Sequence, residues 1–195
     1  MTTKPVVTEV RPLALLARRT VAVLLGAALV ALSAQVEVPL PLTQVPMTLQ
    51  GLAVLAVGGL LGPGYGAASL VTYLAMGIGG LPVFAGGSAG AWKLLGPTGG
   101  YLLAFPVAAA VVGALGPRGS VGAAAWRGIP RAVGAALVGM VIIHAGGVAQ
   151  LAILTGDPRA AVTLGTAPFL AVDLVKVVLA GVLIARFAPT TRRVI

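Results

Sequence analysis

Apolar residues fill this chain in long blocks, and the breaks between blocks are marked by proline, glycine and charge. Those breaks delimit six segments of helix-forming length, at roughly 19–36, 48–62, 64–79, 98–116, 130–154 and 167–187. The expected architecture is an all-α integral membrane protein, a six-helix transmembrane bundle in a single domain over 1–195. No internal repeat, low-complexity tail or long linker divides it. The second segment, Thr48 to Gly62, reaches only about 22 Å at ~1.5 Å per residue, short of a ~30 Å hydrocarbon core. It therefore needs shielding by neighbours or partners. Between the second and third segments, Gly62-Pro63-Gly64 predicts a tight turn and an antiparallel hairpin.

Composition agrees with the block pattern. Hydrophobic residues make up 58% of the chain and charged residues 9%, with a mean hydropathy of +1.06, a balance that 195 residues of soluble protein cannot hide in one core. The absence of cysteine removes disulfides and thiolate metal sites, and a single histidine leaves little for a transition-metal centre. No cofactor is expected.

The net charge of +9 would suit a nucleic acid, but the basic residues sit at the ends of apolar blocks rather than in one patch. With the amino terminus in the cytoplasm, Lys4, Arg11, Arg18, Arg19, Arg118, Arg127, Arg131, Arg186, Arg192 and Arg193 lie inside. Only Lys93 and Arg159 lie outside, so both termini are expected in the cytoplasm of a multi-pass cell-membrane protein. Ala31-Leu32-Ser33-Ala34 offers a passable signal-peptidase site, but the run before it is long enough to cross a bilayer and nothing after it resembles a secreted domain. The first span is read as retained.

Two outer loops are long for a packed bundle: proline-rich Glu37 to Met47 and glycine-rich Gly80 to Pro97. Irregular backbone at membrane depth is tolerated where protein or a watery cavity satisfies its polar groups, which places a ligand pocket beneath these loops.

The sixth segment carries Asp173 and Lys176 one turn apart on one face. An ionisable group inside the bilayer costs about 3 kcal/mol or more on insertion scales and is by default a functional candidate. A mutually satisfied pair that only anchors the helix is the alternative; their place in the outer half, near the loops, favours ligand binding.

Gly86-Gly87-Ser88-Ala89-Gly90 matches the G-x-S-x-G nucleophile pattern, and His144 is the one imidazole, so an intramembrane serine hydrolase is a competing reading. Against it, the strand-turn-helix context of the elbow is missing, and His144 is expected to make a polar contact within the fifth span, near Gln150. No G-x-x-x-x-G-K-[ST] occurs, so any ATP hydrolysis belongs to another subunit. Small residues at Ala22 and Gly26, and at Ala27 and Ala31, would let a partner helix approach the first span closely.

Ordered along the chain are Ala34-Gln35, Pro39-Leu40-Pro41, Val45-Pro46-Met47-Thr48-Leu49-Gln50, Gly80-Leu81-Pro82-Val83-Phe84-Ala85-Gly86-Gly87, Gly96-Pro97-Thr98-Gly99-Gly100-Tyr101, and Pro168-Phe169 followed by Asp173 and Lys176. In order, spacing and predicted side of the membrane, they resemble the BioY family, the biotin-specific S components of energy-coupling factor (ECF) transporters. The resemblance implies a six-helix subunit that captures biotin from outside and works in the lipid bilayer with a transmembrane T component and a pair of ABC-type ATPases, docking through the small-residue face of the first span. It implies polar contacts from Gln50, Asp173 and Lys176, apolar walls from Tyr101, Phe84 and Trp92, and loop backbone from Gly86 and Gly87. The family often has a hydrogen-bonding side chain where this chain has Ala85-Gly86-Gly87. An S component for another vitamin, such as thiamine or riboflavin, is the nearest alternative.

Overall fold

The computed structural model of the protein describes residues 10–41, 43–117 and 126–195. Lys4 and Arg118 of the charge argument lie outside those residues.

Helix α1 runs over Val10–Ala34, α2 over Gln50–Ile78, α3 over Gly99–Leu115, α4 over Ile129–Thr155, the short α5 over Pro158–Gly165, and α6 over Leu170–Val194. The expected hairpin is present inside α2. Gly62 takes φ 82°, ψ 178°, a left-handed backbone that only glycine adopts without strain, and Pro63 follows where its missing N–H costs nothing. The arms, 50–61 and 63–78, fold back so tightly that a Cβ on Gly66 would sit 2.8 Å from the Cα of Gly58. Gln50 and Tyr73, 23 residues apart, are hydrogen-bonded across them at 2.7 Å. The short first arm is shielded as its length demands, with Ala53, Val54, Leu55, Ala56 and Val57 all buried.

With α2 counted as two arms, six helical spans form the bundle. α2, α3, α4 and α6 pack around a core containing Leu55, Leu70, Tyr73, Val112 and Ile184, and α1 leans chiefly on α2. Apolar side chains left outside, such as Leu24 and Leu25 on α1 and Leu174 and Val178 on α6, are exposed to what would be lipid. At the end where the α2 hairpin turns, Arg192 of α6 donates to the carbonyls of Gly59 at 2.6 Å and Gly113 at 3.0 Å. Those two bonds tie three helices together.

Three expectations need correction. The first helix begins at Val10, earlier than residue 19. The sixth helix starts at Leu170 and runs on to Val194, past the expected 167–187, and a short helix not foreseen precedes it: α5 and α6 meet at 59°, because Thr166–Phe169 form a turn that directs Phe169 inward, where it is buried. The small residues of α1 do not form an outer docking face. Gly26 and Ala27 are buried against α2, and a Cβ on Gly26 would lie 2.9 Å from the Ser69 Cβ; Ala22 and Ala31 are half-buried beside them. Small side chains do permit close approach here, and the helix that approaches belongs to the same chain.

Candidate functional site

The two long loops meet above the helices. Glu37–Val38 (β1) pairs antiparallel with Met47–Thr48 (β2), closing the first loop into a hairpin that the sequence pattern did not suggest. The second carries two 3₁₀ turns, Ala85–Gly87 and Ala91–Leu95. It is held from two sides. Gln35 accepts a hydrogen bond from the Gly87 N–H at 3.1 Å and donates to the Phe84 carbonyl at 3.3 Å, while Gln150 of α4 donates to the carbonyls of Leu94 and Gly96 at 2.9 and 2.7 Å. Phe84 is thereby driven into the core, edge-on to Tyr73 at 5.5 Å.

Beneath the loops lies a cavity of about 380 Å³, in the range of small-molecule sites. Its floor is the charged pair of α6. Lys176 Nζ donates to Asp173 Oδ1 at 2.7 Å, and both residues are buried, as their spacing on one helix face predicted. His144 of α4 completes the cluster, with Nε2 2.9 Å from Asp173 Oδ2 and Nδ1 within 3.3 Å of the Gly165 carbonyl and 3.2 Å of the Thr166 hydroxyl. Tyr101 of α3 donates its hydroxyl to the same Gly165 carbonyl at 2.6 Å and stands nearly perpendicular to the imidazole. A carboxylate in apolar surroundings is stable only when its lone pairs are met, and here both oxygens are met by nitrogen.

At the start of α2, Gln50 donates to Tyr73 and accepts from Thr48 at 3.1 Å, so its amide is locked in one orientation. Phe84, Tyr101, Phe105 and Phe169 supply aromatic surface. A site so lined can hold a small molecule with an apolar body and a compact polar group that both donates and accepts.

Of the residues expected at the site, Gln50, Phe84, Gly86, Tyr101, Asp173 and Lys176 line one cavity. Gly87 and Trp92 do not. Gly87 spends its N–H on Gln35, and Trp92 points outward, 63% exposed, with the Lys93 ammonium 5.0 Å from its ring centroid. His144 makes polar contacts as expected, but across to Asp173, Gly165 and Thr166 rather than near Gln150, which serves the second loop. Ser88 and His144 both border the cavity, yet the serine hydroxyl donates to the Ala85 carbonyl at 2.7 Å and the imidazole is committed to Asp173.

Sequence reasoning missed Glu37, Met140 and Ile143 as lining residues. Met140, Ile143 and His144 fall at i, i+3 and i+4 on α4, so the helical period alone would have put them on one face. Glu37 stands where the loop lacks a side chain: a Cβ on Gly86 would be 3.2 Å from Glu37 Oε1.

Comparison with known proteins first fixes the class of fold. A crystal structure described as the S-component for biotin from an ECF-type ABC transporter superposes with a TM-score of 0.77, covering 92% of this chain and 93% of that one at 23% identity. The bundle with its two capping loops is thus an ECF S-component fold. Residues 2–193 match the BioY family, and the chain belongs to it. Among its relatives, the biotin transporter BioY of Thermotoga maritima is 38% identical over 149 residues, 76% of this chain and 84% of that protein. The probable biotin transporter BioY of Pyrococcus horikoshii is 38% identical over 169 residues, 87% and 95% of the two chains. The biotin transporter BioY of Rhodobacter capsulatus is 35% identical over 183 residues, 86% of this chain and 92% of that protein.

Proposed function

We propose that this protein is the biotin-binding S component of an ECF-type uptake transporter, capturing the vitamin beneath its two long loops. The observation that carries the reading is the buried Lys176–Asp173–His144 cluster at the floor of an aromatic-lined cavity, in a chain whose relatives are biotin transporters. The ureido group of biotin offers N–H donors beside a carbonyl acceptor. A carboxylate next to an ammonium complements it, while the fused rings suit the faces of Phe84, Tyr101 and Phe105.

Uphill transport requires ATP hydrolysis that this sequence has no P-loop to perform. The partners are a transmembrane T component and a pair of ABC-type ATPases, and the basic residues orient the chain in the cell membrane with both termini in the cytoplasm. The protein is not an enzyme; a fluorophosphonate probe is expected to leave Ser88 unlabelled.

Calorimetry of the purified protein against biotin, thiamine and riboflavin tests the reading. Saturable binding of biotin with no heat from the other two is expected. Tight binding of another vitamin and none of biotin would overturn it.

A further inference from the structure

The cluster at the cavity floor contains one member whose role is not explained by the pairing of opposite charges. His144 comes from α4, 29 residues from Asp173, and is the only histidine of the chain. An ionised carboxylate oxygen can only accept, so the ring nitrogen 2.9 Å from Asp173 Oδ2, Nε2, is the one that carries hydrogen. The other nitrogen meets a carbonyl that only accepts, Gly165, and a hydroxyl that can do either, Thr166. The Thr166 hydroxyl can therefore satisfy Nδ1 whether or not it is protonated, and the Nε2–H toward Asp173 is kept in both forms.

The ring is also clamped sideways. Tyr101 lies at 6.2 Å between centroids and Phe169 at 6.4 Å, which leaves the imidazole little freedom to turn away. A carboxylate bonded to Lys176 alone could rotate about its χ2 torsion, which is broad for this side chain. Bonded at Oδ1 by Lys176 and at Oδ2 by His144, it is fixed in one plane. Each oxygen keeps a second lone pair, and the ammonium keeps two of its three N–H donors.

We propose that His144 is the positioning residue of this site: its Nε2–H fixes the plane of the Asp173 carboxylate so that Asp173 and Lys176 together present one acceptor edge and one donor edge to a cyclic urea. The assignment rests on the reading of the cavity as a biotin site. It goes further in giving α4 a part in recognition, through a residue that need not touch the ligand.

Glutamine can place an amide N–H near the position of Nε2, and asparagine near that of Nδ1, so the two substitutions divide the histidine's contacts. His144→Gln is expected to hold biotin within about threefold of wild type. His144→Asn keeps a bond to Gly165 but releases Asp173, and is expected to weaken binding by about tenfold, the loss of one well-placed hydrogen bond to a charged group. Equal losses in the two variants, or a larger loss in the Gln variant, would overturn the proposal and leave His144 as packing.

A second measurement needs no variant. With a purification tag free of histidine, the ring nitrogens of ¹⁵N-labelled protein report this one residue. The Nε2 signal is expected to shift in step with biotin saturation, as the ligand draws on the same carboxylate, and a signal unmoved at saturation would also overturn the proposal. Failure of wild-type protein to bind biotin in the same titration is a separate result, which would count against the ligand.

Discussion

Replacing Lys176 by methionine removes a charge from the cavity floor while keeping nearly the same side-chain length, and its two effects can be separated. Lys176 and Asp173 are 6% and 7% exposed and bonded at 2.7 Å, so the variant leaves a buried carboxylate held by His144 alone. Breaking a buried pair from one side costs about 3–5 kcal/mol, a large share of the ~5–15 kcal/mol stability typical of a domain, so the melting temperature should fall plainly. Binding suffers on its own account. One N–H of the ammonium is spent on Asp173, and a ligand that uses another gains about 1.5–3 kcal/mol, so affinity should fall about ten- to hundredfold. The double variant Asp173→Asn, Lys176→Met tells the two losses apart. With both charges removed no ion is left buried and unpaired, so its ligand-free melting temperature should recover at least in part while biotin affinity does not. Thermal unfolding without ligand and calorimetry with biotin give the two readouts. Wild-type affinity in Lys176→Met, or affinity that returns together with stability in the double variant, would refute the assignment of this pair to the ligand.

Three other outcomes follow from the packing and the charge pattern. Ala27→Trp should destabilise the protein outright, because overfilling a packed interior costs about 1–3 kcal/mol or more, whereas Leu25→Ala on the exposed side of the same helix should leave the melting temperature nearly unchanged; equal behaviour of the two would refute the inward orientation of the small residues. Gln150→Leu removes the donor shared by the Leu94 and Gly96 carbonyls and should speed biotin release in a stopped-flow chase, since the second loop loses its anchor to α4; an unchanged release rate would mean that the bonds from Gln35 and from the Gly90 N–H to the Gly77 carbonyl suffice to hold the loop. A cysteine placed after Arg193 should resist an impermeant thiol reagent added to intact cells, and labelling from outside would reverse the proposed topology.

What the sequence by itself determined is what depends on neighbours along the chain. Apolar blocks bounded by proline and glycine locate the spans because a bilayer demands uninterrupted helix. Gly62-Pro63-Gly64 marks the hairpin because one left-handed residue followed by proline cannot continue a helix, and the three-residue spacing of Asp173 and Lys176 puts them on one face wherever that helix packs. The tertiary structure decided what depends on residues far apart. His144 meets Asp173 rather than Gln150 because α4 and α6 cross at that level, which no periodicity in either helix encodes. Phe84 and Trp92, eight residues apart in one glycine-rich loop and alike in chemistry, part company because Gln35 and Gln150 pin the loop so that one ring enters the core and the other faces out. Small residues on α1 signal close approach in either case; only the packed fold reveals that the approaching helix is the protein's own α2, since the same spacing suits an internal neighbour and a foreign one equally well.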